Sequence, residues 1–425
     1  MFKKSFYNIE IPREDNSLLL FNCFSGALVV LNENFQKLLS NIEFYQEVDA
    51  EIIELIKKGF VVHENLDECN KLTLAHNIQK YTTKSLDLVI AVTLLCNMDC
   101  PYCFENKKNI TITKEIEDNL ISFIDKNTPN EGSLNISWFG GEPLLQKDLI
   151  YRLSKKIKLL CKNKNINYKS NIVTNGVLLD YETAKYLKNE CEVGFAQITI
   201  DGLKETHDKR RCLKNGQSSF DIIINNIEKI QEFFNVQIRI NIDKDNIEES
   251  IELIKFFKQR HWNKNIQYYF APVQETDNYD SDMCMYNSEI KKMQLYLLKK
   301  CYEESYLEKN SKPFFKPALT KCLATRYNSY FINADGNVFK CPNHVNDKSK
   351  IVFNISQPNL LSSNHVKWLS NIELNEQCKQ CKLLPLCQGG CPKNKLENNK
   401  TICEYENIDS FKEILKLYYE TLKND

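Results

Sequence analysis

Cys96, Cys100 and Cys103 stand in the spacing CxxxCxxC within Leu95-Cys96-Asn97-Met98-Asp99-Cys100-Pro101-Tyr102-Cys103-Phe104, directly after an apolar run from Leu86 to Leu95. Three thiolates can hold three corners of a four-iron cluster and leave the fourth iron open to a small molecule. A zinc site usually closes at four ligands drawn from Cys or His pairs two to four residues apart, which a lone triplet does not supply. A second constellation lies far downstream: Cys322, thirteen residues, Gly336, four residues, Cys341, then Cys378, Cys381, Cys387, Cys391 and Cys403. These thiols suit iron–sulfur ligation, although the pairs Cys378/Cys381 and Cys387/Cys391 could each grip zinc instead.

The chain has 17 cysteines, an odd number that cannot pair completely. With no apolar signal segment after Met1-Phe2-Lys3-Lys4-Ser5-Phe6, a cytoplasmic location is expected, where thiols stay reduced and metal ligation explains clustered cysteines better than disulfides do. Cys23, Cys69, Cys161, Cys191, Cys212, Cys284 and Cys301 stand alone and read mostly as small buried apolar side chains. Lys plus Arg and Asp plus Glu number 56 each, so no basic field points to nucleic acid, and no apolar run is long enough for a membrane span. At 425 residues the chain has room for two or three domains.

The elements that must position these residues follow from periodicity. Residues 1–80 read as a small α+β module, with a strand over Phe6–Ile11, a hairpin over Leu18–Leu31 turning near Ser25-Gly26, helices over Asn34–Leu39 and Ala50–Lys58, and a closing strand at Phe60-Val61-Val62. Residues 85–304 alternate strand and helix. The expected strands are Leu86–Thr93, Leu134–Phe139, Asn171–Thr174, Phe195–Ile200, Val236–Ile242 and Ile266–Val273, with amphipathic helices between, among them Lys114–Asp125, Leu149–Cys161, Ser219–Phe233 and Ile247–Gln259. Six βα units imply an α/β fold with a parallel sheet curving into a partial (β/α)6 TIM-type barrel, in which chemistry lies on loops after the strand C-termini. The triplet sits after the first strand. Residues 305–425 show weak periodicity, many loops and a final helix over Ile408–Lys423, as expected of a loop-rich segment stabilised by bound metal.

The triplet, with Tyr102 before its last cysteine and Gly140-Gly141-Glu142-Pro143 after the second strand, resembles the radical S-adenosylmethionine (SAM) superfamily. The resemblance implies that SAM chelates the open iron of a [4Fe-4S] cluster and is cleaved to a 5′-deoxyadenosyl radical, the chemistry belonging to the cofactor and the positioning to the protein. On this reading Gly140 and Gly141 let backbone approach the SAM methionyl group, and Glu142 receives its ammonium. Asn175 ends the third strand in Asn175-Gly176, Thr199 and Asp201 end the fourth, and His207-Asp208-Lys209-Arg210-Arg211 follows, one of its two arginines, Arg210 or Arg211, being expected to meet a carboxylate of SAM or substrate, with Arg211 a candidate cofactor-binding residue. Asn175, Thr199 and Asp201 are also residues that turns favour. Arg239 and Asn241 alternate on the fifth strand and would point into the barrel, where an arginine needs an anion. Asp201 and Arg239 are the candidates for a catalytic role.

The downstream cysteines resemble a complete SPASM extension, which implies two auxiliary clusters and three [4Fe-4S] clusters in all. By this resemblance Cys378, Cys381, Cys387 and Cys403 hold one, and Cys322, Cys341 and Cys391 the other. Some relatives carry an eighth cysteine shortly before the position of Cys322, but Lys312-Pro313-Phe314-Phe315-Lys316-Pro317-Ala318 contains none. Either Cys301 or Cys284 supplies a ligand, or one iron is open to a substrate thiolate. The N-terminal module resembles a PqqD-like peptide-recognition element of ribosomal-peptide maturases. The resemblance therefore implies a precursor peptide with a leader, a reductase such as flavodoxin or ferredoxin, and a thioether cross-link of the sactipeptide or ranthipeptide type. The alternatives are formylglycine generation in sulfatases, and peptide epimerisation or carbon–carbon cross-linking. A non-catalytic iron–sulfur electron carrier is a reading from another class.

Overall fold

The computed structural model describes every residue except 46–48, 263–264, 276–278, 280, 286–287, 305–316, 321, 371–373, 399–400, 402, 404, 406 and 424–425. Residues 312–316, where an eighth cysteine is missing from the sequence, thus lie outside the described residues. The contacts divide the chain into two units. One contains Met1–Tyr81 with the described parts of Leu307–Cys322 and Asn371–Asp425; the other contains the described parts of Thr82–Tyr306 with Leu323–Ser370.

The first unit carries strands β1 (Phe2–Lys4), β2 (Asn8–Pro12), β3 (Leu18–Asn22), β4 (Leu28–Leu31) and β5 (Val61–His63). β1 pairs with β5, and β2, β3 and β4 form an antiparallel sheet in that order. The Asn22 side chain accepts from the backbone N–H of Phe24 and of Ser25, and Gly26 takes a positive φ of 77°, so the hairpin turns where Ser25-Gly26 predicts. Successive side chains of a strand point to opposite faces. Here both faces are buried. Leu18, Leu20 and Leu31 pack with Leu38, Leu39, Ile52 and Leu55 of helices Glu33–Ser40 and Ala50–Lys57, which are capped by Asn32 and Asp49. Ile9, Ile11, Leu19 and Phe21 pack with Leu384, Leu386, Phe411 and Leu415 from the C-terminal stretch.

The second unit carries β6 (Ser85–Thr93), β7 (Ser133–Gly140), β8 (Asn167–Thr174), β9 (Val193–Thr199), β10 (Asn235–Ile242), β11 (Ile266–Pro272), β12 (Ser329–Ile332), β13 (Asn337–Phe339) and β14 (Phe353–Asn354). They form a mixed sheet in the order β11-β10-β9-β8-β7-β6-β12-β13-β14, parallel from β11 through β12. All six strands expected for residues 85–304 are present, in chain order. One face of the sheet is apolar, with Leu86, Leu88 and Ile90, then Leu134, Ile136 and Trp138, then Ile238, Ile240 and Ile242, all buried. The opposite positions are polar and bond across strands: Asn135 Nδ2 donates to Asp87 Oδ1 at 2.9 Å, Ser137 Oγ to Asn171 Oδ1 at 2.7 Å, and Tyr269 OH to Gln197 Oε1 at 2.9 Å.

The C-terminal stretch is more regular than its weak periodicity predicts. β12 pairs in parallel with β6, so residues 329–354 widen the central sheet, while residues 378–419 share an apolar core with the N-terminal strands. Strands of two to four residues are too short to show an alternation, and β12, which joins them to the central sheet, finds its partner β6 far back in the chain.

Candidate functional site

The triplet loop leaves β6 beside the end of β7, and the two are joined by backbone. Gly141 N–H donates to Thr93 O at 3.0 Å and Glu142 N–H to Leu95 O at 2.8 Å. A Cβ on Gly140 would meet Thr93 O at 2.2 Å, and one on Gly141 would meet Leu95 O at 2.5 Å, both closer than any real contact. Gly140 also has a φ of 132°. The glycines therefore have a reason within the chain itself: they let the β7 end lie against the root of the triplet loop.

Glu142 is fully buried and its carboxylate accepts three hydrogen bonds, from Leu144 N–H at 3.0 Å, Thr174 Oγ1 at 2.7 Å and Asn175 N–H at 2.7 Å. Burial pushes its carboxyl up, against those bonds, which favour the charged form. Through the first bond it caps the short turn Pro143–Gln146, with Pro143 at the first helical position. Asn175 Nδ2 in turn donates to Asn97 Oδ1, inside the triplet, at 2.7 Å. Glu142 and Asn175 thus tie the ends of β7 and β8 to the loop that carries Cys96.

A second network joins the ends of β9 and β10. Tyr102 OH donates to Asp201 Oδ2 and accepts from Arg211 Nη1 at 2.8 Å. Arg210 Nη1 donates to Asp243 Oδ2 at 2.7 Å, and its Nε lies 3.6 Å from Asp201 Oδ2. Its guanidinium also stacks 5.2 Å from the Tyr102 ring centre. Tyr279 OH donates to Asp243, and its ring meets Tyr102 edge-on at 5.8 Å. Burial pushes the Tyr102 phenol well up, with Arg211 opposing and Asp201 adding. Asp201 and Asp243 end a shared pattern, Ile198-Thr199-Ile200-Asp201 and Ile240-Asn241-Ile242-Asp243. Sequence reasoning missed Asp243 and Tyr279; the repeated pattern was the signal for Asp243. Thr199 and Arg239 are register partners on β9 and β10, and Arg239 Nε donates to Asn241 Oδ1 at 2.7 Å.

The three thiols of the triplet influence one another electrostatically. Burial pushes Cys96 up to about 11 and also raises Cys103, with the Cys100 charge adding to both. In the first unit, Cys378 and Cys381 are likewise raised by burial and then by the charges of Cys387 and Cys403. The four thiols expected to share a cluster therefore lie within one another's electrostatic reach. Cys322 and Cys391 belong to the first unit and Cys341 to the second. Among the described residues no three His, Cys, Asp or Glu side chains converge as the ligands of a single metal ion would. The donor chemistry fits iron–sulfur binding: three thiols on one loop, beside a buried arginine whose Nε finds no hydrogen-bond partner among the described residues. That arginine, Arg211, is raised most by the Cys100 charge, against its burial.

Residues 90–257 match the Radical SAM superfamily. A cysteine-type anaerobic sulfatase-maturating enzyme of Clostridium novyi (strain NT) is 30% identical over 370 residues, 79% of this chain and 97% of that one. The chain belongs to the radical SAM superfamily. This radical SAM enzyme also shares its fold with solved structures. The native sulfatase-maturating enzyme anSMEcpe with bound AdoMet superposes with a TM-score of 0.61 at 20% identity, covering 80% of this chain and 98% of that one. Streptococcus suis SuiB bound to its precursor peptide SuiA covers 96% of this chain and 99% of that one, with a TM-score of 0.54 at 17% identity. Among the described residues of the radical SAM enzyme, no helix is long and apolar enough to cross a membrane.

Proposed function

We propose that this radical SAM enzyme is a maturase of a ribosomally made precursor peptide, and that the bond it forms is a thioether cross-link. The observation that carries the peptide reading is an open sheet edge. Among the described residues β4 pairs only with β3, and Val30 on it is 36% exposed. An extended leader can add there as a further strand. The fold comparison supports this reading, since SuiB covers 96% of the chain against 80% for anSMEcpe, a difference the N-terminal module is large enough to account for. The functional division runs as a recognition element over 1–80, a catalytic barrel over 85–304 and an auxiliary segment over 305–425.

Cys96, Cys100 and Cys103 would hold the SAM-binding [4Fe-4S] cluster, and Cys378, Cys381, Cys387 and Cys403 an auxiliary one. By the resemblance, Cys322, Cys341 and Cys391 would hold a third. When bound, the first cluster and SAM would supply the radical chemistry that removes one hydrogen atom from the peptide, and thioether formation would leave one electron for an auxiliary cluster to accept and the thiol proton for solvent. The chain's own residues orient these groups. Tyr102, Gly140, Gly141, Glu142, Pro143, Asn175, Thr199, Asp201, Arg211 and Arg239 would line the SAM site, with Glu142 and Asn175 acting by holding the loop. Asp201 and Arg239 are the candidates for contact with the reacting groups. A reductase such as flavodoxin or ferredoxin supplies the electron.

The thioether reading rests on an open iron in the third cluster. The alternative is that Cys301 or Cys284 supplies the fourth ligand, which would close that iron to a substrate thiolate. A second reading, formylglycine generation, is favoured by the 30% identity to the Clostridium novyi enzyme over 97% of its length. Mass spectrometry of peptides treated with the reduced, reconstituted enzyme and SAM separates the two. Loss of two hydrogens from a Cys-containing precursor encoded beside the gene supports the thioether, whereas a hydrazine-trappable aldehyde on a sulfatase-derived peptide overturns it. Val30→Lys places a charge on the free edge. It is expected to weaken peptide capture at least about tenfold and leave release of 5′-deoxyadenosine unchanged.

A further inference from the structure

The recognition module does not complete its own core. One face of its three-stranded sheet, formed by Tyr7, Ile9, Ile11, Leu19, Phe21 and Cys23, is buried against Cys378, Leu383, Leu384, Leu386, Phe411 and Leu415. Phe21 and Phe411 lie 5.8 Å apart between ring centres, and Tyr405 meets Phe411 edge-on at 5.3 Å. The contact continues in polar groups. Lys382 Nζ, the residue after Cys381, donates to the backbone carbonyl of Asn8 on β2 at 3.0 Å. Cys381 packs against the same cluster, and its charge reaches both Cys23, at the end of β3, and Tyr7.

The loop that supplies this wall has little regular structure of its own. Cys378 lies in the one-turn helix Glu376–Lys379 and Cys387 ends another, Leu384–Cys387. Helices of four residues have no independent stability in water, because the first turn costs more than its single hydrogen bond returns. Something else must hold Leu383, Leu384 and Leu386 in place against β2 and β3. Ligation by Cys378, Cys381, Cys387 and Cys403 would do this by closing the loop on itself.

We infer that the auxiliary cluster held by Cys378, Cys381, Cys387 and Cys403 acts as the structural keystone of the N-terminal recognition sheet, so that cluster occupancy and the folded state of β2 and β3 are thermodynamically linked. The inference rests on the reading of those four residues as cluster ligands. A group that binds only the folded arrangement stabilises it, and the linkage is reciprocal: whatever orders the sheet tightens the hold on the cluster. The auxiliary cluster is then a condition for peptide capture, apart from any part it has in electron transfer.

Hydrogen–deuterium exchange of the full-length reconstituted protein tests this. Cys381→Ala is expected to raise amide exchange in Asn8–Pro12 and Leu18–Asn22 at least tenfold, while Cys96→Ala leaves those strands as protected as in the parent. Equal protection of the strands in Cys381→Ala and the parent would overturn the inference. Iron analysis of the same samples separates this from the underlying reading, because four irons lost per chain in Cys381→Ala supports the ligand assignment and an unchanged iron content refutes it. Should Cys381→Ala fail to fold, the reciprocal arm decides: Phe21→Ala should speed chelator-driven loss of four irons several-fold and leave the SAM-binding cluster's release unchanged. Equal release from Phe21→Ala and the parent would count against the linkage.

Discussion

Cys96, Cys100 and Cys103 hang from the end of a nine-stranded sheet in a loop tied by hydrogen bonds to its neighbours, whereas Cys378 lies inside an apolar core and Cys381 packs against it. In the first region the scaffold is complete without the ligands: the β6 and β7 ends, Glu142 and Asn175 meet through backbone and side-chain bonds of their own. In the second, the ligand-bearing loop is itself a wall of the core. The contrast teaches that a site resting on finished secondary structure can change chemistry without risk to folding, while a site that finishes the core cannot.

The sharpest break of the comparison is Phe411→Ala. Phe411 is fully buried between Phe21 and Tyr405, and its truncation is expected to destabilise the first unit by about 3–5 kcal/mol. Denaturant unfolding should show this loss while SAM cleavage stays within about twofold of the parent at low denaturant; a matching loss of cleavage would contradict the separation of the two regions. Gly141→Ala is its mirror. Its added Cβ meets Leu95 O at 2.5 Å and must displace the triplet loop, so SAM cleavage should fall roughly 100-fold, as it does for misplacements of about 1 Å. The unfolding transition of the first unit should not move, and a shift there would blur the contrast.

The smallest effect is a pH dependence confined to the second unit. His207 is fully buried; its Nδ1 accepts from Asp201 N–H at 3.4 Å and its Nε2–H donates to Ser219 Oγ at 3.1 Å, which fixes the neutral tautomer. Burial, with the Arg211 charge adding, pushes its pKa down to about 3. The folded pKa lies below that of the unfolded chain, so the contribution to stability is fully present above about pH 6.5 and is lost as the pH falls from there toward about 3. Melting of the second unit should therefore soften below about pH 6, with a shallower slope in His207→Gln; identical slopes would remove His207 from the account.

Much of the second unit was legible in the residues. Six strands follow from apolar runs bounded by helical periodicity, and the CxxxCxxC and Gly140–Pro143 motifs fall where strand C-termini place them. The reason for the glycines was not legible, because it depends on how closely Thr93 and Leu95 approach β7. The separate places of Arg210 and Arg211 were not legible either, since only the fold brings Asp201 and Asp243 to the two sides of Arg210. The first unit was the less legible. A sheet face whose apolar partners sit beyond residue 378 looks, in sequence, like half of a small module followed much later by a cysteine-rich tail. Local periodicity carries no record of such distant pairing.

Phe21 on β3 is synthesised 390 residues ahead of Phe411, which with Leu415 covers the β2–β3 face. At about 5–20 residues per second, the uncovered face waits on the order of 20–80 s during synthesis. An apolar sheet face exposed for that long is a target for chaperone capture or for pairing with another nascent chain. On the proposed ligation by Cys378, Cys381, Cys387 and Cys403, timely delivery of iron and sulfur becomes a matter of solubility in the cell as well as of activity, and yield on expression is expected to follow the supply of cluster-assembly factors.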